Sequence, residues 1–224
     1  MCGRFSQGVI EEEILDLFDL PPETNIPYIQ PRYNGAPTQE FITCRQDNEG
    51  FRSISKIKWG LIPFWARDQS IGSKLINARS ETVSEKPSFK YAFRQRRCLV
   101  PANGWFEWQH KGQGKQPYYI QLEEGSLMAL AGIWETWLGE EGIIETFALL
   151  TRNAIPGLAE IYYRQPVVVN RSDFDTWLFP DSPRDKLIDV INTEPPRFEA
   201  WPVSPLVNNA RNNTNTITKR LVAN

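Results

Sequence analysis

Apolar residues in "VIEEEILDLFDLPPE" recur at helical spacing. Val9, Ile10, Ile14, Leu17 and Phe18 fall on one face, which predicts an amphipathic helix stopped by Pro21-Pro22. "FITCR" and "FRSISKIKWG" read as strands flanking the turn "QDNEG". "SEKPSFKYAFRQRR" predicts a short helix or ordered loop, with Pro87 tolerated in a first turn. A dense strand series follows: "RCLVPA", "GWFEWQ", "PYYIQLE", "LMALAGIWETW" and "IIETFALLTR". The polar, glycine-rich "HKGQGKQ" predicts a hairpin loop, and "LGEEG" separates the last two strands. Further on, "PGLAEIYY" predicts a short helix and "PVVV" a strand. "RSDFDTWLF" and "SPRDKLIDVINT" predict helices opened by Ser or Asp caps. No repeat or long linker divides the chain. The expectation is one α+β domain over residues 1–224, β-rich, with a curved or barrel-like antiparallel sheet and peripheral helices.

Composition adds a real core: 41% of the residues are hydrophobic and 23% charged. An aromatic share of 12% is high enough that some rings are expected at the surface for recognition. A formal net charge of −2 excludes a globally cationic nucleic-acid binder. An anionic polymer would have to be held by a local patch, on few phosphate contacts and with a shallow salt dependence. Glu11, Glu12 and Glu13 leave no signal-peptide pattern, and no apolar run reaches the roughly 18 residues of a membrane span. Cys2, Cys44 and Cys98 have neither disulfide-framework nor zinc-ligand spacing. The expectation is a cytoplasmic monomer in a reducing compartment, with no metal, cofactor or membrane partner.

Three stretches carry chemistry. Cys2 stands directly behind Met1, so removal of Met1 creates a 1,2-aminothiol. Its amine (pKa about 7.7–8.0) and thiol (about 8.5) are both reactive near neutrality. The amine can act as nucleophile or as the base for its own side chain. "LINARSET" sets Asn77, Arg79 and Glu81 beside Leu75 and Ile76. In "PANGWFEWQ", a strand puts Trp105 and Glu107 on one face and Phe106 and Trp108 on the other. A carboxyl group against Trp is a candidate for a raised pKa and general acid/base work; the alternative is an edge-strand glutamate facing water. Lys86, Phe89, Lys90, Tyr91, Phe93, Arg94, Arg96 and Arg97 interleave cations with rings. That pattern suits single-stranded nucleic acid, or equally a solvated helix face. Trp59, Phe64 and Trp65 in "WGLIPFWARD" are stacking wedges or core.

Taken in order, "MCGRF", "YNGAPTQ", "WGLIPFWA", "INARSET", "PANGWFEW" and "LAEIYYRQPVVV" resemble the SRAP family (SOS response-associated peptidase), from Met1 to "WPVSPLVNNARNN". The resemblance implies a DNA damage response protein that binds single-stranded DNA at abasic sites and becomes covalently joined to them. The Cys2 amine would condense with the open-chain sugar aldehyde, and the thiol would close a thiazolidine. It also implies autocatalytic loss of Met1, the source of the peptidase label. By the same resemblance Cys2 is the nucleophile, Asn77 a hydrogen-bonding partner of the sugar or the Cys2 amine, and Glu107 the proton shuttle. Arg4, Arg79, Arg164 and Thr151 would grip phosphates, Phe64 and Trp65 would form the wedge, and Lys90 and Arg94 belong to the basic–aromatic cluster. The family usually reads His-Asp-Arg where this chain has Tyr162-Tyr163-Arg164, so Tyr162 replaces the catalytic histidine. The single histidine, His110, falls in the loop "QHKGQGK" with no reason to reach the site. A phenol donates a hydrogen bond but is no base at neutral pH, so crosslinking should survive while histidine-assisted steps slow. Tyr162 or Tyr163 could instead donate protons, with Glu107 as base. Two other classes stay open: an N-terminal-nucleophile amidohydrolase using Asn103-Gly104 as oxyanion hole, and a non-covalent DNA binder.

Overall fold

The computed structural model describes residues 2–28, 30–140 and 142–221. In chain order the elements are β1 (Phe5–Gln7), α1 (Glu11–Leu17), β2 (Arg32–Gly35), β3 (Glu40–Gln46), β4 (Arg52–Trp59), β5 (Asn77–Arg79), α2 (Lys90–Gln95), β6 (Arg97–Ala102), β7 (Gly104–Lys111), β8 (Gly114–Leu122), β9 (Met128–Gly139), β10 (Gly142–Asn153), α3 (Pro156–Ala159), β11 (Arg164–Pro166), β12 (Val168–Val169), α4 (Phe174–Leu178), α5 (Arg184–Asn192) and β13 (Phe198–Pro202). β3 pairs with β4 and β6, β6 with β9, β9 with β10, and β10 with β4, which closes a five-stranded barrel. A second, open antiparallel sheet runs β13-β8-β7-β1-β2. The α+β fold with a barrel-like sheet is therefore what the chain adopts. Its closing seam is parallel, because β4 and β5 both run alongside β10 in the same direction.

Barrel strands bury both faces, which explains their near-continuous apolar runs: every residue of β6 is buried. Leu99, Ala131, Ala148 and Leu150 pack with α1, α2, α4 and α5 residues such as Ile14, Phe93, Trp177 and Leu187. Their alternates Cys98, Val100, Leu130 and Leu149 pack with Phe5 and Trp105 of the open sheet. Gln7, buried, joins the two sheets. Its Nε2 donates to the carbonyls of Ile42 (3.0 Å) and Pro101 (2.9 Å), and its Oε1 accepts the Ile42 N–H (2.8 Å).

Several local expectations shift. α1 ends at Phe18, before Pro21-Pro22, because Asp19 takes a left-handed φ of 51°. Leu20 N–H then reaches Leu15 O and Asp19 N–H reaches Asp16 O, a Schellman closure. Ile10 caps the helix from outside it and is 56% exposed. The Ser and Asp caps expected for α4 and α5 make no capping bond; Asp173 and Pro183 hold those positions. The hairpin loop shrinks to Gly112-Gln113, with φ +59° at Gly112, so "HK" and "GKQ" are paired strand. β1, β2, β5 and β13 are too short or too polar to stand out by periodicity.

Gly60 and Gly72 close the base of the loop that carries Phe64 and Trp65. Gly60 has φ +125°, and a Cβ there would lie 2.7 Å from the Gly72 carbonyl oxygen. Gly60→Ala is expected to destabilise the fold by about 1–3 kcal/mol, read as a lower denaturant midpoint at unchanged slope. An unchanged midpoint would show that the loop base can open freely.

Candidate active site

β1 positions the N-terminus. Phe5 pairs with Trp105, and the Phe106 N–H donates to the Arg4 carbonyl at 2.9 Å, so the preceding residues run alongside Glu107. Cys2 has no exposed surface and packs in the cluster of Phe5, Trp59, Trp105 and Leu158. Asn77 opens β5, which is locked onto β10 through Leu149, Leu150 and Thr151. The preceding carbonyl, of Ile76, accepts bonds from the Trp59 indole (2.8 Å) and the Leu149 N–H (3.1 Å). Held this way, Asn77 Nδ2 donates to the Cys2 carbonyl at 2.7 Å. Its Oδ1 is buried with no hydrogen-bond partner among the described residues, so one acceptor points into the site unused.

Glu107 is 3% exposed, and burial pushes its carboxyl up to about 8. The solvent-facing alternative for this residue is thus replaced by a dry carboxyl on the Trp105 face. Burial also drives the Cys2 thiol upward, reinforced by the neighbouring Glu107 charge, so the thiol is neutral at rest. Tyr162 is half-buried, with its ring 4.6 Å from that of the exposed Tyr163. Its phenol is pushed up to about 12, by burial first, then by Tyr163 and the Glu107 charge, against the opposing pull of Arg79. Cys2, Asn77, Glu107, Tyr162 and Arg79 therefore converge. His110 sits on β7 opposite Lys115, exposed, three residues beyond Glu107 toward the hairpin tip, or about 10 Å at strand rise.

The cations expected to grip phosphate divide. Arg79 is exposed at the end of β5. Arg4 Nη1 is committed to Asn34 Oδ1 (2.7 Å) and the Val207 carbonyl (2.8 Å), with its guanidinium 5.9 Å from the Trp108 ring. Arg164 is buried in a two-pronged pair with Glu81 (2.5 and 2.9 Å) and also donates to Asn153 Oδ1 and the Thr151 carbonyl. Thr151 is wholly buried. Arg164 and Thr151 consequently brace β5, β10 and β11 beneath the site, and neither presents a free terminal donor at the surface.

The cluster around α2 also splits. Arg97 is buried and donates to carbonyls of Phe93, Trp177 and Phe179; Arg96 pairs with the buried Glu135 at 2.8 Å. Lys90 and Arg94 remain exposed. Phe64 and Trp65 are 51% and 47% exposed on a turn closed by Ala66 N–H to Pro63 O and held by the Trp137 indole on Ala66 O. Phe64 meets Tyr91 edge-on at 5.6 Å, and Lys90 Nζ lies 4.9 Å from the same ring. Asn34 was not singled out by the sequence. Buried, it receives Arg4 and donates to the carbonyls of Val207, Asn209 and Asn212, fastening the N-terminal strand to the C-terminal loop. A lone Asn between Tyr33 and Gly35 was its sole sequence signal.

Residues 1–210 match the family SRAP, SOS response associated peptidase. The chain is 34% identical over 218 residues to the abasic site processing protein YoaM of Bacillus subtilis (strain 168), covering 96% of each. It is 31% identical over 218 residues to the abasic site processing protein YedK of Escherichia coli (strain K12), covering 95% of this chain and 96% of that one. Its fold matches the crystal structure of a protein from Bacteroides thetaiotaomicron with a TM-score of 0.86, at 24% identity and covering 99% and 100% of the two chains. An N-terminal Cys2 clamped by Asn77 beside a buried Glu107, together with a family match over nearly its whole length, shows that the chain belongs to the SOS response associated peptidase family.

Proposed function

We propose that, once Met1 is removed, this chain binds single-stranded DNA at abasic sites and joins to them through the amine and thiol of Cys2. The observation that carries the reading is the Asn77 clamp on the Cys2 carbonyl at 2.7 Å, in a pocket where Glu107 holds a proton to about pH 8. The names of the relatives, abasic site processing proteins, agree with it.

The amine of Cys2 adds to the open-chain sugar aldehyde at its carbonyl carbon. The resulting hydroxyl leaves as water, taking a proton from Glu107, and an imine remains once the nitrogen gives its proton back to that carboxylate. The thiol sulfur then attacks the imine carbon while its proton passes to the nitrogen, closing a five-membered thiazolidine. Aldehyde plus aminothiol thus gives thiazolidine plus water. A neutral thiol suits this order, because the amine attacks first and the sulfur acts only on the activated imine. Asn77 Oδ1 is free to accept from the amine or a sugar hydroxyl. Met1 must leave first because its acyl group occupies the Cys2 nitrogen, and hydrolysis of that bond in the same pocket completes the proposal. Tyr162, a donor and not a base, leaves reversal without the help an imidazole would give.

A denaturing gel with single-stranded DNA bearing one abasic site is expected to show a shifted band that Cys2→Ala abolishes. No band, from protein whose intact mass lacks Met1, would leave the non-covalent binder as the better reading. Glu107→Gln is expected to slow band formation about 10²–10⁴-fold. Because Glu107 rises from about 4.5 to about 8 on folding, its contribution to stability is full below pH 4.5 and lost as pH climbs through 8. The wild-type Tm should accordingly fall between pH 5 and 8.5 more than that of Glu107→Gln; parallel curves would place the carboxyl in water. Tyr162→His should speed thiazolidine reversal against duplex DNA, and equal rates would remove Tyr162 from that step.

A further inference from the structure

A cleft of about 480 Å³ opens between α2 and the start of α5, lined by Lys90, Phe93, Arg94, Asp181 and Arg184 among others. Its cations differ in setting from the ion-paired arginines elsewhere in the molecule. Arg45, Arg52, Arg96, Arg164 and Arg171 each face a carboxylate within 4.0 Å. Lys90, Arg94 and Arg184 do so nowhere among the described residues, although the chain carries a formal net charge of −2. Arg184 is instead held in place by a neutral partner, with Nη2 donating to Ser84 Oγ at 2.8 Å. The one carboxylate in the lining, Asp181, acts on the buried Arg97 and favours its charged form. Three unpaired cations converging on one concavity within an overall acidic chain are what an anionic ligand needs.

The position of the cleft says which anion. Lys90 lines it and at the same time lies over the Tyr91 ring, and Tyr91 meets Phe64 of the exposed aromatic turn. Phe64, Tyr91, Lys90, Arg94 and Arg184 therefore form one continuous track, rings first and cations after. A single strand offers unstacked bases to the rings and regularly spaced phosphates to the cations. The one ring in the lining, Phe93, is buried, so the cationic rim of the cleft is suited to the backbone. Lys90, Tyr91 and Arg94 of α2 are exposed, whereas Phe93 and Arg97, which the sequence places in the same run, turn inward.

We infer that the cleft between α2 and α5 holds backbone phosphates of the DNA strand that continues past Phe64 and Tyr91, with Arg184 as an anchor. The inference rests on the reading of the chain as a binder of single-stranded DNA, but it requires no covalent chemistry. Binding is measured by fluorescence anisotropy with oligonucleotides carrying a central tetrahydrofuran residue, which cannot form an imine. Two lengths are compared, about five and about twenty nucleotides. On the longer strand, Arg184→Glu is expected to weaken binding about tenfold and to lower the salt slope by about 0.7, one phosphate contact on single-stranded DNA. Arg184→Lys should keep most of the affinity, and the penalty of Arg184→Glu should vanish on the short strand. Lys186→Glu, on the same helix but outside the cleft, controls for a general charge effect. Wild-type affinity and slope for Arg184→Glu on the longer strand, or an equal loss from Lys186→Glu, would overturn the inference. If the abasic-site gel shows no crosslink but the length-dependent loss is present, the cleft stands and the aminothiol chemistry falls. If the wild-type chain binds neither strand, both fall.

Discussion

Everything at the candidate site depends on how a three-residue strand, β1, is held. A strand so short gains little from its own ladder, so its position comes from side chains. Gln7 meets three backbone groups of the barrel at once, and the Gly8 N–H donates to Asn103 Oδ1 at 2.7 Å. On the other side of Phe5, Arg4 is tied to Asn34 and Val207. These neutral and charge-assisted bonds, in a nearly dry setting, hold the chain end against fraying. The result is a Cys2 with no exposed surface, at the place where a chain is ordinarily most mobile.

Burial of that end sets the electrostatics of the pocket. A carboxylate, a thiolate and a phenolate would each be poorly solvated there, and all three groups shift toward their neutral forms for that common reason. Glu107 is the informative one, since its raised value lets it keep its proton through the neutral range. A neutral, proton-bearing carboxyl beside a neutral thiol favours condensation chemistry over thiolate attack. The pair of buried Arg164 with exposed Glu81 does different work. Removing Glu81 would strand the Arg164 charge inside, so the pair fixes β5 relative to β10, and with it the reach of Asn77.

The surface around the site separates cations by what faces them. On the barrel wall Arg45 and Arg52 are matched to carboxylates, and Arg45 also to the Trp134 ring at 4.1 Å. Those on α2 and at the start of α5 are not, and they adjoin the exposed rings of Phe64 and Tyr91. A modest negative total charge thus coexists with a local cationic track, because the charges are unevenly distributed over the surface.

By itself the sequence determined the long strands, whose apolar runs are continuous because both faces are buried, and the shared face of Trp105 and Glu107, which follows from a period of two. It also placed Cys2, Asn77 and Glu107 in motifs specific enough to name the family. It could not show β1, β2, β5 or β13, whose three to five residues are set by partners distant in the chain. Nor could it separate Arg94 from Arg97, three positions apart, one exposed and the other buried against main-chain carbonyls. Thr151 and Arg164 carried the polar groups of a phosphate grip, yet Thr151 is wholly buried and both terminal nitrogens of Arg164 are bonded within the protein. Residue type and local spacing fix what a side chain can do. Which of its partners it meets depends on contacts across dozens or hundreds of residues, and those exist only once the barrel has closed and β1 has docked on it.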